Sequence, residues 1–135
     1  MGILIKRKDF CENREYHRLL IFGFAVTNNA MSMNNPIAVE LLKLNPRSRS
    51  IQLEQCFTQV ISALPNDSFI KDIDVMFNPS YNIDVLSVLV SAYRKKPFKL
   101  IWPGRVEKNK LIYSQEGYSD YRVFNSENYD VICVY

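Results

Sequence analysis

The sequence predicts a three-layer α/β domain, with a mainly parallel sheet and helices on both faces, and three observations predict it. Residues 19 to 26, Leu-Leu-Ile-Phe-Gly-Phe-Ala-Val, form a continuous apolar run that suits a strand covered on both sides. From Ile51 onward, Leu53, Cys56, Phe57, Val60, Ile61 and Leu64 recur at offsets of three and four, the period of one helix face. Strand-like and helix-like segments then alternate along the chain, as parallel pairing through helical crossovers requires.

Taken in order, the run at 19 to 26 is the first core strand. Residues 27 to 35 are rich in turn formers and lead to Pro36, which suits a first helical position after an Asn cap. A short helix through Leu44 follows, stopped by Asn45-Pro46, and the helix with the 51 to 64 face ends at Pro65-Asn66-Asp67. Residues 68 to 77 read as a strand region interrupted by charges, closed by Asn78-Pro79-Ser80. Residues 83 to 94 are apolar nearly all round and predict a helix sandwiched inside the domain. Residues 98 to 102 form a strand broken by Pro103-Gly104, and 111 to 113 and 131 to 134 give two more, with loop between them. No repeat, linker or low-complexity tract divides the 135 residues, so residues 1 to 135 are expected to form a single domain.

An apolar fraction of 47% with 23% charged residues excludes the composition of disordered chains. Cys11, Cys56 and Cys133 are widely spaced, with no Cys-x-x-Cys or Cys/His cluster for zinc, and predict reduced thiols in a cytoplasmic protein. Ile3-Leu4-Ile5 followed by Lys6-Arg7-Lys8 has the wrong order for a signal peptide. The apolar runs are too short for a bilayer of roughly 30 Å, so no membrane role is expected. A net charge of +3 permits an acidic partner without demanding one. The clusters Lys6-Arg7-Lys8, Arg47 with Arg49, and Arg94-Lys95-Lys96 with Lys99 are read first as solvated helix ends or loops.

Chemistry has few candidates. His17 is the only histidine and has no marked nucleophile beside it, so no catalytic residue is assigned. Asp67, Asp72 and Asp74 stand near a strand end where metal-binding carboxylates occur, but Lys71 among them favours internal pairing or solvent exposure. Trp102-Pro103-Gly104 ends a strand with an aromatic and a forced turn, which is expected to present the ring at the sheet's carboxyl edge, where binding sites gather. Glu116-Gly117-Tyr118-Ser119-Asp120-Tyr121-Arg122 concentrates side chains that interfaces favour, although a packed loop explains them equally well.

The order of segments from Arg47-Ser48-Arg49 through Phe69-Ile70-Lys71-Asp72-Ile73-Asp74-Val75-Met76-Phe77-Asn78, Asp84-Val85-Leu86, Trp102-Pro103-Gly104, Leu111-Ile112-Tyr113 and Gly117-Tyr118-Ser119-Asp120-Tyr121 resembles the small P-loop protein of BREX bacteriophage-exclusion systems, often called BrxF. The resemblance covers the C-terminal two-thirds and implies a P-loop or Rossmann-like scaffold. In that family a glycine-rich loop ending in Gly-Lys-Ser/Thr follows the first strand and cradles phosphate. Here Gly23 is followed by Phe24-Ala25-Val26-Thr27, with neither that motif nor its long helix, as if the fold were truncated after the first strand. Where the family's magnesium-holding aspartate belongs, this chain carries Lys71.

The resemblance thus implies the scaffold without the hydrolase: a non-catalytic, cofactor-free component of an antiphage complex. Its partner is another protein subunit or a second copy of itself, met through Trp102, Pro103, Gly104, Tyr118, Asp120, Tyr121 and Arg122. One alternative is a divergent ATPase that binds magnesium-ATP through residues 27 to 35 with Asp72 and Asp74. Another is a nucleic-acid module using Lys95, Lys96, Lys99 and Arg105, whose grip on DNA would be weak and salt-dependent.

Overall fold

The computed structural model describes residues 2–135. Along the chain run β1 (Ile3–Ile5), β2 (Leu19–Phe22), β3 (Met31–Ser32), α1 (Asn34–Leu42), α2 (Arg49–Ser62), β4 (Ser68–Lys71), α3 (Val85–Lys95) and β5 (Phe98–Ile101). These are followed by β6 (Arg105–Glu107), β7 (Lys110–Tyr113), β8 (Arg122–Asn125) and β9 (Val131–Val134). All four residues of β2 and all four of β9 are buried, as strands covered on both faces must be.

Six strands form one parallel sheet in the order β1-β9-β2-β5-β4-β3. A separate antiparallel sheet has the order β6-β7-β8. The fold is therefore mixed α/β with a parallel sheet, as the alternation of segments predicts.

The helices depart from expectation. Leu19 and Ile21 of β2, Phe98 and Leu100 of β5, and Val131 and Cys133 of β9 share one core with the buried faces of α1, α2 and α3. The opposite sheet face, with Leu20, Phe22, Ile132 and Val134 and the flanking Ile5 of β1 and Phe69 of β4, is covered by Phe10, Tyr16, Phe24 and Val26, and no helix residue belongs to this cluster. Helices thus line one face only, and irregular chain with aromatic side chains covers the other. The expected second helical layer is missing because residues 6 to 18 and 23 to 30 contain no α-helix.

Several boundaries move for local reasons. The strand expected over 19 to 26, β2, ends at Phe22, four residues early; the Gly23 N–H still reaches Val134 O at 2.8 Å. Beyond it Phe24 sets its ring edge-on to Phe22, 5.9 Å between centroids. The strand at 68 to 77 stops at Lys71, because Asp72 adopts a left-handed φ of 53° and a 3-10 turn, Asp74–Phe77, follows. Asn35, expected to cap the helix before Pro36, lies inside it, because α1 begins one residue earlier at Asn34. The Asn34 carboxamide oxygen accepts the Val75 N–H at 2.8 Å, tying α1 to that 3-10 turn. In α2, Leu53, Cys56, Phe57 and Ile61 are buried as their spacing predicts, whereas Ile51 is 83% exposed. Two residues from Leu53, it points roughly 200° away around the helix.

Candidate functional site

The sheet's carboxyl edge was the expected binding region, and the structure fills it with core. The Trp102 N–H donates to Phe22 O and the indole Nε1–H to Ile112 O, each at 2.9 Å, so one residue joins the large sheet to the small one. At 4% exposure, with its ring edge-on to Phe77 and Phe124, Trp102 offers no surface to a partner. That corrects its expected display at the edge: burying the large ring against the second sheet removes more apolar area from water than leaving it outside. Gly104 is needed for close approach, since a Cβ there would lie 2.0 Å from Ile112 O.

The 116 to 122 loop keeps more of its surface. Tyr118 is 63% exposed and Tyr121 half-buried. Asp120 accepts the Ser114 hydroxyl at 2.6 Å, and Arg122 donates to Tyr121 O at 2.9 Å, so both charged groups brace the loop. Of the residues expected to meet a partner, Tyr118 is the one large ring left outside.

The carboxylates near β4 are separated in role. Asp74 accepts the Tyr113 phenol at 2.9 Å through one oxygen and the Asn34 amide at 3.1 Å through the other. Burial, then this hydrogen bond and the Asp74 charge, push the Tyr113 phenol well above its ordinary value, so it remains a donor. Asp72 sits on the left-handed backbone that ends β4. Among the described residues, no group of three or more His, Cys, Asp or Glu is arranged to hold a metal ion.

The basic residues form no common stripe. Lys95 pairs with Glu54 at 3.6 Å, Lys96 donates to Ser62 O at 2.9 Å, and Arg105 pairs with Glu107 at 3.4 Å within β6. Lys99 lies on the helix-free sheet face with its nitrogen 5.0 Å from the centre of the Phe69 ring. Duplex DNA is expected to bind weakly and with steep salt dependence. Titration of labelled duplex at two salt concentrations checks this, and tight binding near physiological salt that falls when Lys95, Lys96 and Lys99 are replaced together would refute it.

A feature the sequence does not reveal is a cavity of about 570 Å3 on the helix-free face, reaching round the sheet to Phe98 and to Tyr93 of α3. Phe69, Leu20 and Lys99 line it from the sheet, Tyr16 and Val26 from the two irregular segments. Its only sequence signal was the aromatic content of those segments, which periodicity does not detect. Among the described residues no helix is long and apolar enough to cross a membrane.

Sheet, helical layer and cavity together define a mixed α/β protein. No protein-family model, curated protein or solved structure matches this chain.

Proposed function

We propose that this chain is a non-catalytic, protein-binding component of a bacterial antiphage system of the BREX type, built on a degenerate P-loop-like scaffold in the cytoplasm. The observation that carries the non-catalytic part lies at the end of β2. A phosphate-binding loop there needs several backbone amides turned toward open space and a helix N-terminus behind them. Instead, an added Cβ on Gly23 would meet Val106 of β6 at 3.1 Å, and residues 23 to 30 contain no helix and no lysine. At the end of β4, Lys71 brings a positive charge where a magnesium ligand would be wanted.

The binding part is supported by the exposed Tyr118 ring on a loop braced by Asp120 and Arg122. Tyrosine and arginine combine large contact area with directional hydrogen bonds, the mixture interface cores favour. The partner is a protein subunit of the complex or a second copy of this chain.

Calorimetry with magnesium-ATP and magnesium-GTP is expected to show no binding. Micromolar affinity that disappears on Asp72→Ala or Asp74→Ala would replace this reading with a divergent nucleotide hydrolase. For the interface, Tyr118→Ala with Tyr121→Ala is expected to weaken a co-purifying partner at least tenfold while the circular dichroism spectrum is unchanged; equal affinity would remove these residues from it.

A further inference from the structure

We propose that the cavity on the helix-free face is a binding site for a small planar organic anion carrying a single negative charge, with Lys99 as its anchor. The sheet register places Lys99 of β5 directly between Leu20 of β2 and Phe69 of β4. Ile132 of β9 continues the same row beside Leu20. Alternation along each strand directs this row to the helix-free face, where Leu20, Ile132 and Phe69 pack together. Lys99 is thus a cation rooted in an otherwise apolar row of the floor. Among the described residues it makes no ion pair with any carboxylate, and its contact is with the Phe69 ring.

The Lys99 stem covers the apolar floor while its half-buried ammonium stays beside the Phe69 ring inside the cavity, where an anion can reach it. Half-burial raises the effective strength of such a pairing over its value in bulk water.

Size and lining narrow the ligand further. A volume of about 570 Å3 falls within the range of small-molecule sites. Phe69 and Tyr16 supply ring faces and edges, and Tyr16 is already stacked on Phe10 at 5.5 Å. A flat apolar body gains from both. The rim opposes high charge: Glu12, Glu15 and Asp67 stand there against Arg14 and Arg18, of which Arg18 pairs with Asp130 at 3.1 Å. A di- or triphosphate would meet those carboxylates, whereas one carboxylate on Lys99 would not. Asp67 and Pro97, beside the amino-terminal ends of β4 and β5, line the cavity, as do Val26 and Thr27, while Gly23 and Lys71 do not, so its ligand does not depend on the proposed function.

The test uses the full chain and one ring system carrying three headgroups: 2-naphthoate, 2-naphthyl phosphate and uncharged 2-naphthol. NMR titration is expected to shift the amides of Leu20, Phe69 and Lys99 with 2-naphthoate at sub-millimolar concentration. Naphthyl phosphate should bind more weakly, and naphthol at least tenfold more weakly. Lys99→Met should reduce naphthoate affinity at least tenfold, with Lys99→Gln as the second variant should the first not fold, and Lys99→Arg should retain most of it. The proposal is overturned if neither anion binds, if shifts map elsewhere, if naphthol or the phosphate binds as tightly as naphthoate, or if Lys99→Gln binds normally. It is equally overturned if the face proves to be covered by a second copy, seen as a dimer in sedimentation that Lys99→Gln disrupts and naphthoate does not.

Discussion

Replacing Phe77 with alanine is expected to destabilise the protein by about 3–5 kcal/mol, a large part of the roughly 5–15 kcal/mol that holds a domain of this kind folded. Phe77 is 3% exposed and ends the 3-10 turn after β4. Its ring lies flat on Tyr113, 3.8 Å between centroids at 8°. It also meets Trp102 edge-on at 5.8 Å and Phe124 at 6.3 Å. Those partners come from β7, the end of β5 and β8, so this ring is where the small sheet is fastened to the large one. Removing it opens a cavity among rings already held by backbone hydrogen bonds, such as Trp102 Nε1–H to Ile112 O, which limits collapse into the space. Urea unfolding followed by circular dichroism measures the loss through the midpoint. Phe77→Leu, which keeps most of the volume, should cost markedly less. A loss under about 1 kcal/mol for alanine would show that the two sheets are joined by something other than this cluster.

Which parts of this architecture could be read from sequence follows from where the signal is periodic. β2 and β9 are uninterrupted apolar runs, and α2 carries a three-and-four repeat, so each shows in a short window. β1, β6 and β8 are short, and their residues alternate only weakly between buried and exposed, so composition alone could not separate them from loop. The hairpin β6-β7 has a further disguise: its two-residue connection places Lys108, not the expected glycine, at a φ of 53°. A turn after Trp102 suggests a surface aromatic, yet the second sheet covers it, and two of that sheet's three strands, β6 and β8, are among those the sequence does not reveal. The Lys99 site was hidden for a similar reason. A single lysine among β5 residues reads as a solvated charge until the register of three strands sets it between Leu20 and Phe69.

Stability is expected to fall progressively as pH rises above 9. Burial in β9 pushes the Cys133 thiol from 9.0 up to about 12. Burial, and then the hydrogen bond from its phenol to Asp84 at 2.7 Å, push Tyr129 from 10.0 up to about 12. Tyr113 is raised further still by burial and Asp74, and Cys56 is raised by burial and by Glu40. For each of these acids the folded state keeps its proton longer than the unfolded chain does. Below pH 9 both states are protonated and the stability is fully present. Above it the unfolded chain ionises first, so stability falls by about 1.4 kcal/mol per pH unit for each fully linked group. For Cys133, which is 0% exposed, the loss approaches about 4 kcal/mol by pH 12. Between pH 9 and 10 the unfolded chain ionises Cys56 and Cys133 ahead of the tyrosines, which gives a separable test. Cys133→Ala should lower stability at neutral pH through the lost packing, yet flatten the decline over that interval, while Tyr129→Phe should leave that interval unchanged and flatten the decline above pH 10. Urea midpoints at half-unit steps from pH 7 to 11 resolve the two. A wild type as stable at pH 11 as at pH 7, or a Cys133→Ala variant with an undiminished slope between 9 and 10, would show that the thiol is not held protonated by the fold.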